Sequence, residues 1–324
     1  MKTSLTVLLL LVSFLFTEAR TWTNSKGKKI KAEISSATDE SVTLILKRNK
    51  KEYTFKRTDL SEADQEFITT WVKEKAEALE KNKEAMFKFG DTKLEPGKIH
   101  QITMTIDQSR YPEGSKFPSP TYTMGIAVPK GFDPINKTYT IIHITVAGKG
   151  QPSKALGQYK NLLDNADCIL IAGDDVAYGS NLPTTSVYIA MDNKWDAKVK
   201  KWPIAFYGFS GGAKAAAYTM AQAASWDRNI IGAYMTGCNE DRTLDAMTRH
   251  KLKPKQKKAY KSAAIWLSSG ATDKVATPAH HKRVLESMKN NKMKYVKINT
   301  FQGAHMIYKD DQVDALKWMK AQAR

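Results

Sequence analysis

The feature that most constrains the fold is a regular alternation of strand-like and helix-like segments from Ile99 to the C-terminus. Two strand-like segments come first, "IHQITMTID" and "YTMGIAVP", and we expect them to pair antiparallel. Short apolar segments such as "CILIAG" and "IAFYGFS" then alternate with helical stretches, including one from Ser153 to about Asn165 and one from about Val187 to Val199. This alternation predicts a mostly parallel sheet with helices on both faces.

A smaller domain is predicted ahead of this region. Residues 20–70 contain short β-rich segments followed by "LSEADQEFI", in which Ser61 is a candidate helix cap. Residues 71–98 read as a charged helix and then a Gly- and Pro-containing linker. The expected organisation is therefore a β domain at 20–70, a helical linker at 71–98 and an α/β domain at 99–324.

The N-terminus has the pattern of a targeting segment. A positive start at Lys2 is followed by the apolar run Leu5 to Phe16 and by "TEAR", with small residues at Thr17 and Ala19. We expect residues 1–19 to be a signal peptide cleaved near Ala19, which predicts a secreted or periplasmic protein. The alternative is an uncleaved N-terminal anchor. Because no second long apolar stretch follows, a soluble mature protein is expected.

The chain is strongly basic, with a formal net charge of +18. Most of the excess lies beyond residue 98, and Arg249 to Lys261 holds seven Lys or Arg and no acid. Such a run is usually a solvated face, but a basic surface also attracts anionic polymers or membranes. Nucleic acid is not an expected partner, because an exported protein leaves the compartment that contains it. The two cysteines, Cys168 and Cys238, are expected to be buried thiols because they fall at opposite ends of their strands.

The stretch "FYGFSGGAKAA" places Ser210 between an apolar strand and a small-residue helix. The spelling G-x-S-x-G is weak evidence by itself, but a nucleophile elbow requires this strand–turn–helix context. A plain turn serine is the alternative interpretation. A nucleophilic serine needs a base, and the base needs an orienting carboxylate.

Two later loops supply candidates for those roles. Asp273 follows the strand-like "AAIWLSSG", and His305 follows "KYVKINTF", in the chain order Ser, Asp, His. All three would lie at the carboxyl ends of parallel strands, where active sites form in open α/β sheets. Glu240 or Asp241 is the rival for the acid. His143 is expected to be packed in a strand, and the adjacent pair His280 and His281 lacks the spacing of metal ligands.

Two resemblances follow from these motifs. One resemblance is to the SH3-like homology domain of endocytic adaptor proteins, and it is carried by the segments "RTWTNSKGKKIKAEI", "VTLILK" and "LSEADQEFI". It implies a small β-barrel that binds a partner or acts as a spacer. The segments "YTMGIAVPKGFD", "GFSGGAKAA", "SSGATDKVAT" and "GAHMI" resemble α/β-hydrolase esterases related to dienelactone hydrolases, phospholipase/carboxylesterases and polysaccharide esterases.

The hydrolase resemblance assigns roles. It implies that Ser210 is the nucleophile, His305 the general base and then acid, and Asp273 the orienting carboxylate. It implies an oxyanion hole made by the backbone N–H groups of Gly211 and Lys149. Many relatives have His-Gly-x-Gly at the second position, where this chain has Ala147-Gly148-Lys149-Gly150.

The predicted function is therefore a secreted serine hydrolase acting on carboxylic esters, with polysaccharide-linked esters among the candidate substrates, through an acyl-enzyme. The alternatives are an inactive hydrolase fold attached to an anionic polysaccharide or cell surface, and a peptidase using the same three residues. A protein or cell-surface partner is possible for the N-terminal domain. No cofactor or metal is expected, because the glycines form neither a dinucleotide fingerprint nor a phosphate loop. Asp174, Asp175 and Tyr178 are candidates for the pocket rim or for solvated loop positions.

Overall fold

A computed structural model describes residues 19–105, 121–134, 136–145, 151–173 and 199–323. The chain divides into two compact units, the first ending at Asn82 and the second beginning at Lys83. The predicted signal peptide lies outside the described residues, apart from Ala19. Within them, no helix has both the length and the apolar character needed to cross a membrane.

The first unit is a four-stranded antiparallel sheet with one helix. Its strands pair in chain order: β1 (Arg20–Thr23), β2 (Lys29–Ala37), β3 (Ser41–Leu46) and β4 (Glu52–Lys56). Alternate residues of β3 are buried, so one face of the sheet forms the core around Trp22. A bridge between Asn24 and Leu60 adds a contact beyond the strands.

Helix α1 (Glu62–Met86) follows the sheet. The sequence suggested a helical turn near Ser61 and a separate helix from 71, whereas the structure has one continuous helix. Its start is anchored by Asp64, whose side chain accepts hydrogen bonds from Ser61 Oγ (3.0 Å), Thr23 N (2.6 Å) and Arg20 (2.7 Å). The Arg20 guanidinium also lies 3.8 Å from the Phe67 ring centroid. These contacts explain why the helix begins where it does.

The second unit is built on an eight-stranded sheet. Its strands are β7 (Ile99–Thr105), β8 (Thr121–Ala127), β9 (Thr140–Thr145), β10 (Cys168–Gly173), β11 (Ile204–Phe209), β12 (Ile230–Thr236), β13 (Ala264–Gly270) and β14 (Tyr295–Phe301). They stand in the order β14-β13-β12-β11-β9-β10-β8-β7. The last six strands along the chain run parallel, and β8 runs opposite to both of its neighbours. The predicted mostly parallel sheet with an antiparallel pair at its start is confirmed.

A short hairpin precedes this sheet, formed by β5 (Lys88–Phe89) and β6 (Thr92–Lys93). Phe89 and Leu94 are buried in the core of the second unit. Residues 88–98 were interpreted from sequence as part of a linker, but they pack with the larger unit. Buried side chains of that unit therefore occur before Ile99.

Helices cover both faces of the large sheet, as predicted. The described ones are α2 (Pro152–Gln158), α3 (Lys160–Asn165), α4 (Gly211–Ser225), α5 (Thr243–Arg249), α6 (Pro254–Ser262), α7 (Pro278–Asn290) and α8 (Gln312–Gln322). Helices α2, α6 and α7 each begin with proline. The N–H that proline lacks would have no partner within the helix at this position, so no hydrogen bond is lost. The basic run predicted as a solvated face forms α6 and the residues around it.

The helix predicted from Ser153 to about Asn165 is broken in two at Tyr159. The Tyr159 ring is buried and packs edge-on against Tyr207 with centroids 5.8 Å apart, and its backbone leaves the helical region. The helix predicted at about 187–199 lies outside the described residues except for Val199, which begins a 3₁₀ turn. Cys168 and Cys238 are both buried and free, so neither forms a disulfide.

Candidate active site

β11 ends in a sharp turn at Ser210, where φ is 54° and ψ is −116°. A positive φ is uncommon for residues other than glycine and marks backbone that its surroundings hold in place. The backbone N–H of Ser210 donates to Thr236 O on β12 at 2.8 Å, which ties the turn to the sheet. Ser210 is the N-cap residue of α4, yet its side chain makes no capping bond. Its hydroxyl is therefore available to another partner.

Two small features let the strand and helix approach each other. A Cβ on Gly208 would lie 2.3 Å from Gly212 O and 2.5 Å from Thr145 Oγ1, so only glycine fits. Thr145, the last residue of β9, donates its hydroxyl to Gly212 O at 2.6 Å and lies 3.2 Å from Tyr207 O. Sequence reasoning did not single out Thr145, because its partner stands 67 residues away.

His305 contacts both of the other predicted site residues. Its Nε2 lies 3.0 Å from Ser210 Oγ, and its Nδ1 lies 2.8 Å from Asp273 Oδ2. With the Nδ1 proton donated to the carboxylate, Nε2 carries the lone pair that accepts the serine hydroxyl. The ring also packs on Phe209, with centroids 4.7 Å apart, and 21% of the side chain stays exposed. Part of the imidazole therefore faces solvent.

The Asp273 carboxylate is almost fully buried, with 1% of its side chain exposed. Burial raises its pKa, but hydrogen bonds from His305 and from the backbone N–H groups of Ala276 and Val275 outweigh burial and lower the pKa overall. Those backbone bonds, at 2.8 and 2.7 Å, both go to Oδ1, which leaves Oδ2 for the histidine. The group is thus held ionised and fixed in orientation.

The loops that carry Asp273 and His305 interlock. The N–H of Thr272 donates to Gly303 O at 2.9 Å, and a Cβ on Gly270 would lie 2.4 Å from Ala304 O. Gly237 has φ +60°, and a Cβ there would lie 2.8 Å from His305 Cε1. The lack of a side chain at Gly237 therefore makes room for the imidazole, and that at Gly270 makes room for the loop backbone at Ala304.

A second buried carboxylate fixes the far end of the His305 loop. Asp311 Oδ2 accepts hydrogen bonds from three side chains of β13 and β14, and Oδ1 accepts one from β12; the donors are Trp266 (3.0 Å), Ser268 (2.9 Å), Asn299 (2.9 Å) and Tyr234 (2.6 Å). Tyr234 Oη also lies 2.8 Å from Tyr308 O, in the same loop. Asp311 is the N-cap residue of α8, but its side chain caps no helical N–H. Sequence reasoning missed this cluster because an acid before a helix is normally read as a cap.

The rival acids are engaged elsewhere. Asp241 accepts hydrogen bonds from Thr243 N, Ser287 Oγ and Asn291 Nδ2, and so joins the start of α5 to the end of α7. Glu240 pairs with Arg242 at 2.7 Å and lies 3.9 Å from Lys214. Of the three candidate acids, Asp273 is the one that contacts His305.

Three histidines considered from the sequence, His143, His280 and His281, lie in a strand or at the start of a helix. His143 is buried in β9 with its ring 5.9 Å from that of Phe206, and burial lowers its pKa to about 3. His280 Nδ1 lies 2.9 Å from Thr277 Oγ1 at the start of α7. His281 is fully buried, neither of its ring nitrogens has a hydrogen-bond partner among the described residues, and burial lowers its pKa to about 4. In the described part of the chain, no group of three or more His, Cys, Asp or Glu is placed to hold a metal.

The predicted oxyanion donors are only partly described. Gly211 is the first residue of α4, so its N–H has no partner within the helix and is available to a ligand. Lys149 lies outside the described residues, as do Asp174, Asp175 and Tyr178 at the predicted pocket rim.

The fold of the second unit follows from its own geometry. A mixed sheet covered by helices, with a strained serine between a central strand and its following helix, is the arrangement of an α/β-hydrolase fold. No protein-family model matches the sequence, and no curated protein sequence matches it.

Several solved structures are similar in shape. The acyl-protein thioesterase 2 of Zea mays is 16% identical with a TM-score of 0.43, and the match covers 62% of this chain and 99% of that protein. A thermostable esterase is 13% identical with a TM-score of 0.47, covering 70% of this chain and 63% of that one, so the match spans less than two thirds of its length. A ferulic acid esterase is 11% identical with a TM-score of 0.45, covering 70% of this chain and 96% of that one. Because all three TM-scores lie below 0.5, the fold assignment depends on the sheet and the turn at Ser210.

Proposed function

We propose that the second unit is a serine hydrolase that cleaves carboxylic esters. The observation that carries the proposal is the unbroken line of contacts from Ser210 Oγ to His305 and from His305 to Asp273, at 3.0 and 2.8 Å. Serine becomes nucleophilic when a positioned base takes its proton, and the base works best when a carboxylate fixes its tautomer. Esters suit a site of this kind, which holds an accessible hydroxyl and a single base.

The proposed reaction has two halves. Ser210 Oγ attacks the ester carbonyl carbon while His305 Nε2 takes the hydroxyl proton, and the N–H of Gly211 donates to the oxygen that becomes negative. The tetrahedral intermediate collapses to an acyl-enzyme, and His305 returns the proton to the departing alcohol. Water then attacks the acyl carbon with His305 as base, which releases the carboxylic acid and restores the serine.

The second oxyanion donor is proposed to be the N–H of Lys149. This assignment depends on the resemblance of Ala147-Gly148-Lys149-Gly150 to the His-Gly-x-Gly motif of α/β-hydrolase esterases. A backbone donor needs no histidine side chain, so the alanine at position 147 is compatible with the role. The names of the similar structures, a thioesterase and two esterases, agree with acyl transfer as the reaction class.

Ser210→Ala is the direct test of the nucleophile. We expect turnover of p-nitrophenyl acetate to fall at least roughly 10³-fold, because the attacking atom is removed. Ser262→Ala is the matched control, since that serine is exposed at the end of α6 and should leave turnover unchanged. Unchanged turnover in folded Ser210→Ala, judged by circular dichroism, would contradict the proposal and favour an inactive fold used for binding.

Two further assignments belong with this function. We propose that residues 1–19 direct export and that the first unit is an SH3-like module that binds a partner or spaces the hydrolase from a surface. N-terminal sequencing of the protein recovered from outside the cytoplasm tests the first, with a new N-terminus near residue 20 as the expected result. Deletion of residues 20–82 tests the second: loss of cell-surface retention with ester turnover unchanged would support it, and unchanged retention would contradict it.

A further inference from the structure

The connections that enter four neighbouring strands are strongly basic. Residues 199–203, 226–229, 258–263 and 289–294 lead into β11, β12, β13 and β14, and together they hold eight Lys or Arg and one acid. These strands are consecutive in the sheet and parallel. Because parallel strands begin at the same edge, their entry residues form a row spaced by about 4.8 Å per strand.

Hydrogen bonds fix the neighbours in this row. Asn229 Nδ2 donates to Lys201 O at 3.4 Å, which joins the entries of β11 and β12. The N–H of Lys294 donates to Lys261 O at 2.7 Å, which joins those of β13 and β14. We call the row the basic edge; its members are Lys200, Lys201, Arg228, Lys261, Lys292 and Lys294.

The lysines of the basic edge are open to solvent. Lys200, Lys201, Lys292 and Lys294 are exposed, and Lys261 is half-buried. None of these five pairs with a carboxylate in the described part of the chain. Uncompensated like charges held side by side repel one another, and a polyanion that lies along them relieves the repulsion.

One aromatic side chain lies among these charges. Trp226 follows α4 and is 39% exposed, directly before Asp227 and Arg228. The exposed part of this indole offers apolar surface against which a sugar ring can pack. We propose that the basic edge and Trp226 together bind an anionic polysaccharide.

The composition of the edge favours this partner over two other polyanions. Trp226 is the sole large hydrophobic exposed in the four segments as described, whereas a membrane surface is normally held by several apolar side chains. Single-stranded nucleic acid is normally bound by several stacking aromatics, and Trp226 is the one exposed aromatic in the four segments as described. Lysine ammonium groups are point charges that can pair with carboxylates or sulfates spaced along a sugar chain.

The edge lies away from the proposed catalytic residues. Ser210, Asp273 and His305 follow the carboxyl ends of β11, β13 and β14, whereas the basic edge precedes their amino ends. A seven-residue strand such as β13 separates the two by about 20 Å. A polymer bound at the basic edge therefore leaves the Ser210 site open, and this inference does not depend on the chain being an active enzyme.

The test compares two triple charge reversals in the full chain. The first reverses Lys200, Lys201 and Lys294 to Glu; the control reverses Lys154, Lys160 and Lys282, which are exposed on α2, α3 and α7. Both variants change the net charge equally. Binding of heparin and polygalacturonate is measured by calorimetry at fixed salt, with uncharged dextran as the negative probe.

We expect the edge variant to lose roughly tenfold or more in affinity for both anionic probes, and the control to stay within about twofold. Trp226→Ala should also weaken binding of the polysaccharides. Equal loss in both triples would overturn the proposal, since it would mean attraction by overall charge. Tighter binding of phosphatidylserine vesicles or single-stranded DNA than of either polysaccharide would also overturn it. If the reversals lower the yield of folded protein, the corresponding Lys→Gln triples give the same comparison.

Discussion

The Asp273 carboxylate accepts three hydrogen bonds, two at one oxygen and one at the other. Oδ1 is held by the backbone of its own loop, and Oδ2 faces His305 Nδ1 at 2.8 Å. The lowered pKa of the carboxyl keeps it ionised, so in the proposed reaction it would stabilise the imidazolium formed when His305 takes a proton.

Asp273→Asn should lower kcat for p-nitrophenyl acetate by roughly 10³–10⁴-fold, because the amide no longer fixes the tautomer that leaves Nε2 as acceptor. Asp241→Asn is the matched control: it disturbs the contacts between α5 and α7 but does not touch His305. We expect that control to lower the unfolding temperature and leave kcat within a few-fold. Equal loss of kcat in the two variants would contradict the role given to Asp273.

His281 makes the folded state sensitive to acid. Burial lowers its pKa from 6.5 to about 4, although the nearby Asp273 raises it; His280 and His305 lower it further. Because the folded-state pKa is lower, the unfolded chain binds a proton first as pH falls, and stability is lost between about pH 6.5 and 4. Above that range both states are neutral at this residue and the contribution is constant.

We expect His281→Leu to reduce the drop in unfolding free energy from pH 7 to pH 5 by about 2 kcal/mol, measured by urea denaturation at each pH. The substitution removes no hydrogen bond among the described residues, since neither ring nitrogen has a partner there. An unchanged pH slope would show that His281 titrates normally in the folded protein.

At the scale of elements, the junction of β11 and α4 depends on how closely two backbones meet. Gly208→Ala places a methyl group 2.3 Å from Gly212 O, which must move the strand or the helix. We expect a loss of roughly 3 kcal/mol in unfolding free energy, with a parallel loss of activity as Ser210 is displaced.

Gly157→Ala in α2 is the matched control for that substitution. A Cβ there meets nothing within 4 Å, so alanine should be neutral or stabilise by about 0.5–1 kcal/mol. Chemical denaturation compares the two variants directly. Similar stability for both would mean that the turn tolerates a side chain at position 208.

The elements also show where sequence reasoning works. The order of strands and helices could be predicted because apolar segments and glycine turns are local signals. The break at Tyr159 could not, since it depends on packing against Tyr207, 48 residues later in the chain. Thr145 and Asp311 were missed for the same reason: both act through partners on other strands, and single-sequence patterns carry no such information.

At the scale of the whole molecule, helices cover both faces of the large sheet. Cys168 opens β10 and Cys238 follows β12, and burial raises the pKa of their thiols to about 12 and 11, although the backbone of Glu240 opposes this at Cys238. Both thiols should be unreactive toward a disulfide reagent in the native state at pH 8, because access and the thiolate are both lacking. Two equivalents should react after unfolding in guanidinium; fast reaction of either in the native protein would contradict the closed core.

The domain boundary predicted before Ile99 depended on a weak local signal. The glycine and proline residues before Ile99 suggested a boundary there, but Phe89 and Leu94 are buried in the larger unit. A two-strand hairpin with one apolar residue in its strands and one directly after them is too short to show a period, so the burial of Phe89 and Leu94 could not be predicted from sequence. Ser210, Asp273 and His305 gave a stronger local signal, because each follows a strand-like segment of one sheet.

Covalent labelling of the full chain with a fluorophosphonate probe, followed by peptide mass mapping, tests directly whether Ser210 is a nucleophile. We expect one equivalent of probe, attached to Ser210, with labelling abolished in Ser210→Ala and strongly slowed in Asp273→Asn. Absence of reaction in correctly folded protein, or attachment at a different serine, would contradict this role.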